Sequence, residues 1–176
     1  MESIKQIFRI GNGPSSSHTM GPKRAAEMFL ARNREVDSFR VTLYGSLAAT
    51  GRGHMTDVAI KSVLEPVAPL EIAWKPEVFL DFHPNGMLFE SLKADGSVIQ
   101  AWTVYSVGGG ALASDDLSDP QPEHVYGMST VSEIQQWCDK QGGSYWEYVQ
   151  QCEGDEIWDY LEEVWRVMVD AVHHGL

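Results

Sequence analysis

Ser38-Phe39-Arg40-Val41-Thr42-Leu43-Tyr44 alternates strictly, with Phe39, Val41 and Leu43 on one face and Arg40, Thr42 and Tyr44 on the other. This period of two predicts a strand buried on one side. Two further runs, Met87 to Leu92 and Val98 to Tyr105, flank Ala94-Asp95-Gly96-Ser97, and Asp-Gly between such runs is a hairpin signal. Helical patterns lie on either side of the first strand. Pro22 suits the first turn of a helix through Lys23–Leu30, with Ala25, Met28, Phe29 and Arg32 on one side. Thr56-Asp57 reads as the cap of a helix through Val58–Leu64 that stops before Pro66. Helices mixed with an antiparallel element predict an α+β domain.

The rest of the chain has another character. Ser114 to Pro122 is polar and holds two prolines, so it reads as a linker. The division is a first domain over 1–119, a connection over 120–125 and a helical segment over 126–176. In that segment, Thr130 or Ser132 with Glu133 caps a helix through Ile134 and Trp137 that ends near Gly142-Gly143, and a short helix holds Tyr145 to Gln151. A last helix, Asp155 to His174, lines up Ile157, Leu161, Val164, Met168 and Ala171, with Trp158, Trp165 and Val172 beside them. That stripe is too wide to face water, so the helix calls for a partner, either the first domain or a continuation of the chain.

Charge sharpens the contrast. The 176 residues hold 13 Lys+Arg against 25 Asp+Glu, a net charge of −12. Residues 1–119 carry 11 basic and 14 acidic side chains, whereas 120–176 carry 2 and 11 and four of the six tryptophans. Such acidity excludes a general nucleic-acid binder, which needs clustered Lys and Arg. No run approaches the ~20 apolar residues of a membrane span, and no signal-peptide layout opens the chain. Cys138 and Cys152 make no disulfide framework, and two thiolates cannot by themselves hold an iron–sulfur cluster. The expectation is a soluble, cytoplasmic protein of a reducing compartment.

Polar chemistry concentrates in four loops. Gly11-Asn12-Gly13-Pro14-Ser15-Ser16-Ser17-His18-Thr19-Met20-Gly21-Pro22 sets hydroxyls and an imidazole just before a helix, a place suited to a carboxylate or phosphate or to plain capping. It lacks the Gly-Lys-Ser/Thr of a Walker loop and is no Gly-x-Ser-x-Gly elbow. Tyr44 to Asp57 runs from a strand through small residues to His54, which is flanked by Gly53 and precedes a helix. Phe82-His83-Pro84-Asn85-Gly86-Met87 opens a strand, and Tyr105-Ser106-Val107-Gly108-Gly109-Gly110 follows one. Each loop alone also reads as an ordinary turn, but four of them at element ends of one domain point to a site. The separation of His18, His54 and His83, with no Cys-x-x-Cys or His-Glu-x-x-His, argues against zinc.

In order, these blocks resemble the beta domain of the iron–sulfur-dependent L-serine dehydratases (L-serine ammonia-lyases). The resemblant residues are Gly13-Pro14-Ser15-Ser16-Ser17-His18-Thr19 with Gly21-Pro22, Leu43 to Leu47 through Gly51 and Gly53-His54 to Thr56-Asp57, His83-x-Asn85-Gly86-Met87, and Tyr105-Ser106-x-Gly108-Gly109-Gly110. Residues 126–176, including Ile157-Trp158-Asp159-Tyr160-Leu161, are similar to the opening helices of that family's catalytic alpha domain in its single-chain form. The resemblance implies a small α+β sandwich similar to the allosteric substrate-binding domain, L-serine as substrate, and pyruvate and ammonia as products. It implies His54 as the base that removes the Cα proton, with His83 assisting. It further implies that Ser15, Ser16, Ser17, His18, Thr19, Asn85 and Gly86 hold the substrate. A 4Fe-4S cluster would be bound by cysteines of the alpha domain outside this chain, so the chain alone would be inactive and none of its residues is a metal ligand. The exposed stripe and edge strands point to a homodimer. The competing reading is a regulatory module that binds serine or another small anion. The catalytic reading requires the imidazoles of residues 18, 54 and 83 to converge.

Overall fold

The computed structural model describes residues 1–8, 10, 11, 13, 15–115 and 124–176. The chain divides into two compact units, one of residues 11–118 and one made of residues 1–10 together with 119–176. Positions 116–123 fall outside the described residues, and with them most of the expected linker.

In the first unit the strands are β1 (Ser38–Tyr44), β2 (Leu70–Lys75), β3 (Gly86–Leu92), β4 (Val98–Gly108) and β5 (Ala111–Ala113). They form one open sheet in the order β2-β1-β3-β4-β5. The α+β class therefore holds, and the expected hairpin is β3–β4, with Met87 opposite Val104 and Phe89 opposite Trp102. β2 was not foreseen. It runs parallel to β1, Val41 opposite Ile72, and a parallel pair demands a crossover, which here is helical. That crossover holds α2 (Gly45–Thr50) and α3 (Thr56–Leu64), while α1 (Gly21–Arg32) precedes β1.

The alternation in β1 is what fixes the layering. Phe39, Val41 and Leu43 are fully buried with Met87, Phe89, Trp102 and Val104 from the neighbouring strands. Against that apolar face pack Ala25, Ala26 and Phe29 of α1 and Ile60 and Leu64 of α3. Phe29 is the hub, with ring centroids 6.2 Å from Phe39, 5.5 Å from Phe89 and 6.5 Å from Trp102. From the other face of β1, Arg40 donates two hydrogen bonds to the buried Glu90 directly opposite on β3, at 2.7 and 2.8 Å. That paired geometry satisfies a carboxylate which would be costly to bury alone.

The second unit holds α4 (Val131–Gln141), α5 (Tyr145–Glu153) and α6 (Ile157–Gly175). Thr130, not Ser132, is the cap of α4. Its hydroxyl accepts from the Glu133 amide while the Glu133 carboxylate accepts from the Thr130 amide, a reciprocal capping box. The first ten residues belong to this unit. The Met1 ammonium donates to the Tyr126 carbonyl at 3.0 Å, and Glu2 pairs with His124. Ser3 Oγ, the Ile4 amide and Tyr126 OH all donate to Glu153, at 2.7, 2.8 and 2.7 Å. Trp137 and Tyr126 flank Tyr148, and both cysteines are free thiols, Cys138 buried and Cys152 half-buried. No helix among the described residues is long and apolar enough to cross a membrane.

Candidate active site

Two of the four polar loops knot together at the end of the sheet where β1 runs into α2; the His83 loop is tied in through the Pro84 carbonyl, and the Ser106 loop through Asn85. The serine loop closes as a π-helical turn, Ser16–Met20, whose final amides reach back five residues. The Ser15 carbonyl accepts from both the Thr19 and Met20 amides, and the Gly21 amide reaches the Ser16 carbonyl. Ser15 caps it, its hydroxyl accepting from the His18 amide at 3.1 Å. A single wide turn of this kind is uncommon and concentrates at functional sites. Asn12 and Pro14 of the motif lie outside the described residues.

His18 sits between two hydroxyls, with Ser17 Oγ 2.9 Å from Nδ1 and Ser46 Oγ 3.2 Å from Nε2. A hydroxyl both donates and accepts, so either neutral tautomer is satisfied. The His54 ring lies against it at a centroid distance of 4.9 Å. Two further bonds bind these loops: Thr19 Oγ1 donates to the His54 carbonyl at 2.7 Å, and Thr56 Oγ1 donates to the His18 carbonyl. Thr56 was expected to cap α3, yet its hydroxyl is spent across the site. Met55 occupies the cap position instead, with φ 57° and ψ 31°. Among the described residues it is the non-glycine with positive φ, a left-handed conformation that costs roughly 1–2 kcal/mol and is set immediately after His54.

Hydrogen bonding fixes the proton positions on the other two imidazoles. His54 Nδ1 lies 3.1 Å from the Thr50 carbonyl. A carbonyl only accepts, so Nδ1 carries the proton and Nε2 of the neutral ring keeps its lone pair. His83 is the reverse case. Its Nδ1 accepts from the Asn85 amide at 3.1 Å, which leaves the proton on Nε2. Burial, together with the nearby His54 charge, holds His18 below the usual histidine range, against an opposing hydrogen bond at Ser46.

His83 makes no ring contact with the other two imidazoles among the described residues. Its loop joins through backbone, because the Ser46 amide donates to the Pro84 carbonyl at 3.0 Å. Asn85 is clamped to Ser106: the Ser106 amide donates to the Asn85 carbonyl at 3.0 Å, and Asn85 Nδ2 donates to the Ser106 carbonyl at 3.2 Å. Ser15, Ser17, His18, Thr19 and His54 thus form one bonded cluster, with His83 and Asn85 attached to it. Ser16 is exposed beside the cluster. Gly86 opens β3 opposite Tyr105, and a Cβ there would lie 2.7 Å from Leu80, which is a packing reason for glycine. Ser46 and Ser106, quoted in the sequence motifs without a role, are brought in by the geometry.

Residues 3–75 and 68–117 match the family model described as Serine dehydratase beta chain. The chain belongs to the serine dehydratase beta chain family. An L-serine dehydratase of Streptomyces coelicolor is 33% identical over 99% of this chain and 50% of its own length. L-serine dehydratase 2 of Escherichia coli K12 is 30% identical over 100% and 49%. An L-serine dehydratase of Mycobacterium bovis is 32% identical over 78% and 39%. The beta-chain sequence thus spans about half the length, or less, of the curated relatives it matches. The alignment to the Streptomyces relative runs over 225 residues, so that relative carries residues within the matched span that this chain of 176 lacks.

Proposed function

We propose that this chain forms the base-bearing, substrate-anchoring wall of an L-serine ammonia-lyase site, acting in the conversion of L-serine to pyruvate and ammonia. The reading rests on one observation: the His54 ring is oriented by Thr50 so that Nε2 keeps its lone pair with no partner among the described residues, and the ring centroid lies 4.9 Å from that of a second imidazole in a cluster of hydroxyls. Removing the Cα proton of serine needs a neutral base held in fixed orientation, which an Nδ1-anchored imidazole provides. His83 carries its proton on Nε2 and is suited to donate a hydrogen bond to the substrate hydroxyl as it departs, so the two rings hold opposite tautomers for opposite tasks. Ser15, Ser16 and Ser17 supply hydroxyls at the start of a helical run, where a carboxylate is favoured, while Thr19 holds the loop in place because its hydroxyl proton is spent on the His54 carbonyl. Loss of water leaves an enamine, which tautomerises to an imine and hydrolyses to pyruvate and ammonia.

The family resemblance brings a 4Fe-4S cluster into question. Cys138 and Cys152 are too few to hold one, and no group of three His, Cys, Asp or Glu suited to a metal ion gathers among the described residues. The chain's own donors do not fit the cluster, and the proposal rests only on steps at this chain's atoms.

His54→Ala in the full-length enzyme carrying this chain tests the reading. Pyruvate formation from L-serine is expected to fall by ~10²–10⁴, the usual contribution of a positioned base. A rate retained within about threefold would falsify the assignment. Calorimetry of L-serine on the 176-residue chain alone separates a half-site from the regulatory alternative, since tight binding there favours a sensor.

A further inference from the structure

Two buried polar atoms beside the serine loop find no partner among the described residues, and both belong to the Asn85–Ser106 clamp. They are Asn85 Oδ1 and Ser106 Oγ. Ser106 is completely buried, so its hydroxyl is not compensated by solvent. The orientation of Asn85 is not arbitrary. Its other amide atom faces the Ser106 carbonyl, which only accepts, so Nδ2 must be the atom there and Oδ1 the atom turned away. The Ser106 amide is spent on the Asn85 carbonyl, the Asn85 amide on His83 Nδ1 and the Ser106 carbonyl on Asn85 Nδ2. What remains is an acceptor oxygen on one of two directly hydrogen-bonded residues and a hydroxyl on the other, both without a partner among the described residues.

Their surroundings say where they point. A Cβ on Gly21 would collide with Ser106 Oγ and lie 3.5 Å from the Ser16 carbonyl, so the hydroxyl sits directly beneath the junction of the π-helical turn and α1. Asn85 is also the residue whose amide fixes the His83 tautomer. Ser106 Oγ therefore lies against the end of the serine loop, and Asn85 belongs to the His83 loop, so the two unpartnered atoms sit where those loops meet. Native proteins rarely leave such groups unpaired, and the exceptions call for an explanation.

We propose that Asn85 Oδ1 and Ser106 Oγ together form the ammonium-recognition pair of the site, taking two N–H donors of an α-amino acid whose carboxylate lies on the serine loop. An ammonium offers three donors and no acceptor, which complements an amide oxygen and a hydroxyl lone pair. The inference rests on the amino-acid-lyase reading above and adds the specificity residue Ser106 to it. Both atoms are sealed from solvent here, so the ligand meets them when the Ser16–Met20 turn lying over Ser106 shifts. The pair would reject hydroxy acids lacking the amine, since they leave both atoms unpaired.

Ser106→Ala tests this in the full-length enzyme, with L-serine as substrate and 3-hydroxypropionate, its desamino analogue, as competitive inhibitor. The variant is expected to raise KM for L-serine at least tenfold while kcat changes less than threefold. Inhibition by the desamino analogue is expected to stay within twofold, so the preference for the amine collapses. The thermal midpoint of the ligand-free variant is expected to stay level or rise, because an unpaired buried hydroxyl has been removed. A lowered midpoint with unchanged KM means that the hydroxyl is a satisfied structural group, and it overturns the proposal. Equal weakening of serine and analogue also overturns it. Absence of any L-serine turnover or binding by the wild-type protein overturns this proposal and the lyase reading together, whereas normal wild-type kinetics with an indifferent Ser106→Ala overturns this one alone.

Discussion

The two units solve the problem of apolar surface in opposite ways. Residues 11–118 bury their large side chains in one cluster around Phe29, Phe39 and Phe89, and their polar residues gather in loops at one sheet end. The helical unit buries Tyr148, Ile157 and Val164, yet leaves Trp146, Trp158, Trp165, Met168 and Val172 in solvent. Its order comes instead from polar ties, above all the three hydrogen bonds that converge on Glu153. A helix pair with so wide an apolar face has the composition of an interface rather than of a finished surface. The sheet unit closes its own core, and the helical unit relies on a carboxylate.

Truncations should separate the two strategies. Phe89→Ala removes a ring that touches both Phe29 and Trp102 and is expected to cost about 3–5 kcal/mol, read as a lowered urea midpoint of the sheet unit. The paired control, Trp165→Ala, removes a larger ring that is 66% exposed and is expected to change stability by no more than roughly 0.5 kcal/mol. Equal losses at the two sites would erase the contrast. Glu153→Ala comes next, at about 1–3 kcal/mol, because it strips the partner from the Tyr126 hydroxyl and the Ile4 amide. Burial pushes the Glu153 carboxyl up, but the hydrogen bonds from Ser3, Tyr126 and Ile4 and the charge of Lys5 bring it below its ordinary value. The unfolded state therefore binds the proton more readily. The helical unit keeps this stabilisation above the ordinary glutamate range and loses it as pH falls through the depressed value. Tryptophan fluorescence in acid titrations should show that loss in the wild type and its absence in Glu153→Ala.

Local patterns made much of this legible, and its limits are physical. β1, the β3–β4 hairpin and α1 follow from periodicity and turn chemistry that a short window contains. The Thr130–Glu133 box is equally local. β2 escaped notice although Leu70, Ile72 and Trp74 alternate with Glu71, Ala73 and Lys75, because Pro66, Pro69 and Pro76 frame it as a loop. Its pairing with β1 is a tertiary event that no local signal announces. The same holds for residues 1–10, whose place in the helical unit depends on partners more than a hundred positions away. At the site, the motifs were readable and the rings of His18 and His54 do meet, but among the described residues the ring of His83 stays apart from both. The π-helical turn, the left-handed Met55 and the diversion of the Thr56 hydroxyl to His18 were not readable. Each arises where distant segments compete for the same backbone groups.

The smallest effect probes the cluster itself. His18 is held below the usual histidine range first by burial and second by the charge of His54. A depressed native value means that the unfolded chain takes up the proton first, so this stabilisation is complete above about pH 6.5 and fades as pH falls through the native value. Between pH 8 and pH 5.5 the thermal midpoint of the sheet unit is expected to drop, and His18→Gln should lessen the drop. Titration of the His18 ring by NMR resolves the two causes. In His54→Gln the neighbouring charge is gone, so the His18 midpoint should rise, yet it should remain below 6.5 because burial, the larger cause, is untouched. A midpoint that does not move in His54→Gln would mean the two imidazoles feel no common field. Their 4.9 Å approach would then be packing without electrostatic consequence. A midpoint that returns fully to the ordinary value would instead make burial the negligible cause, and would show the serine turn opening to water far more than its closed geometry implies.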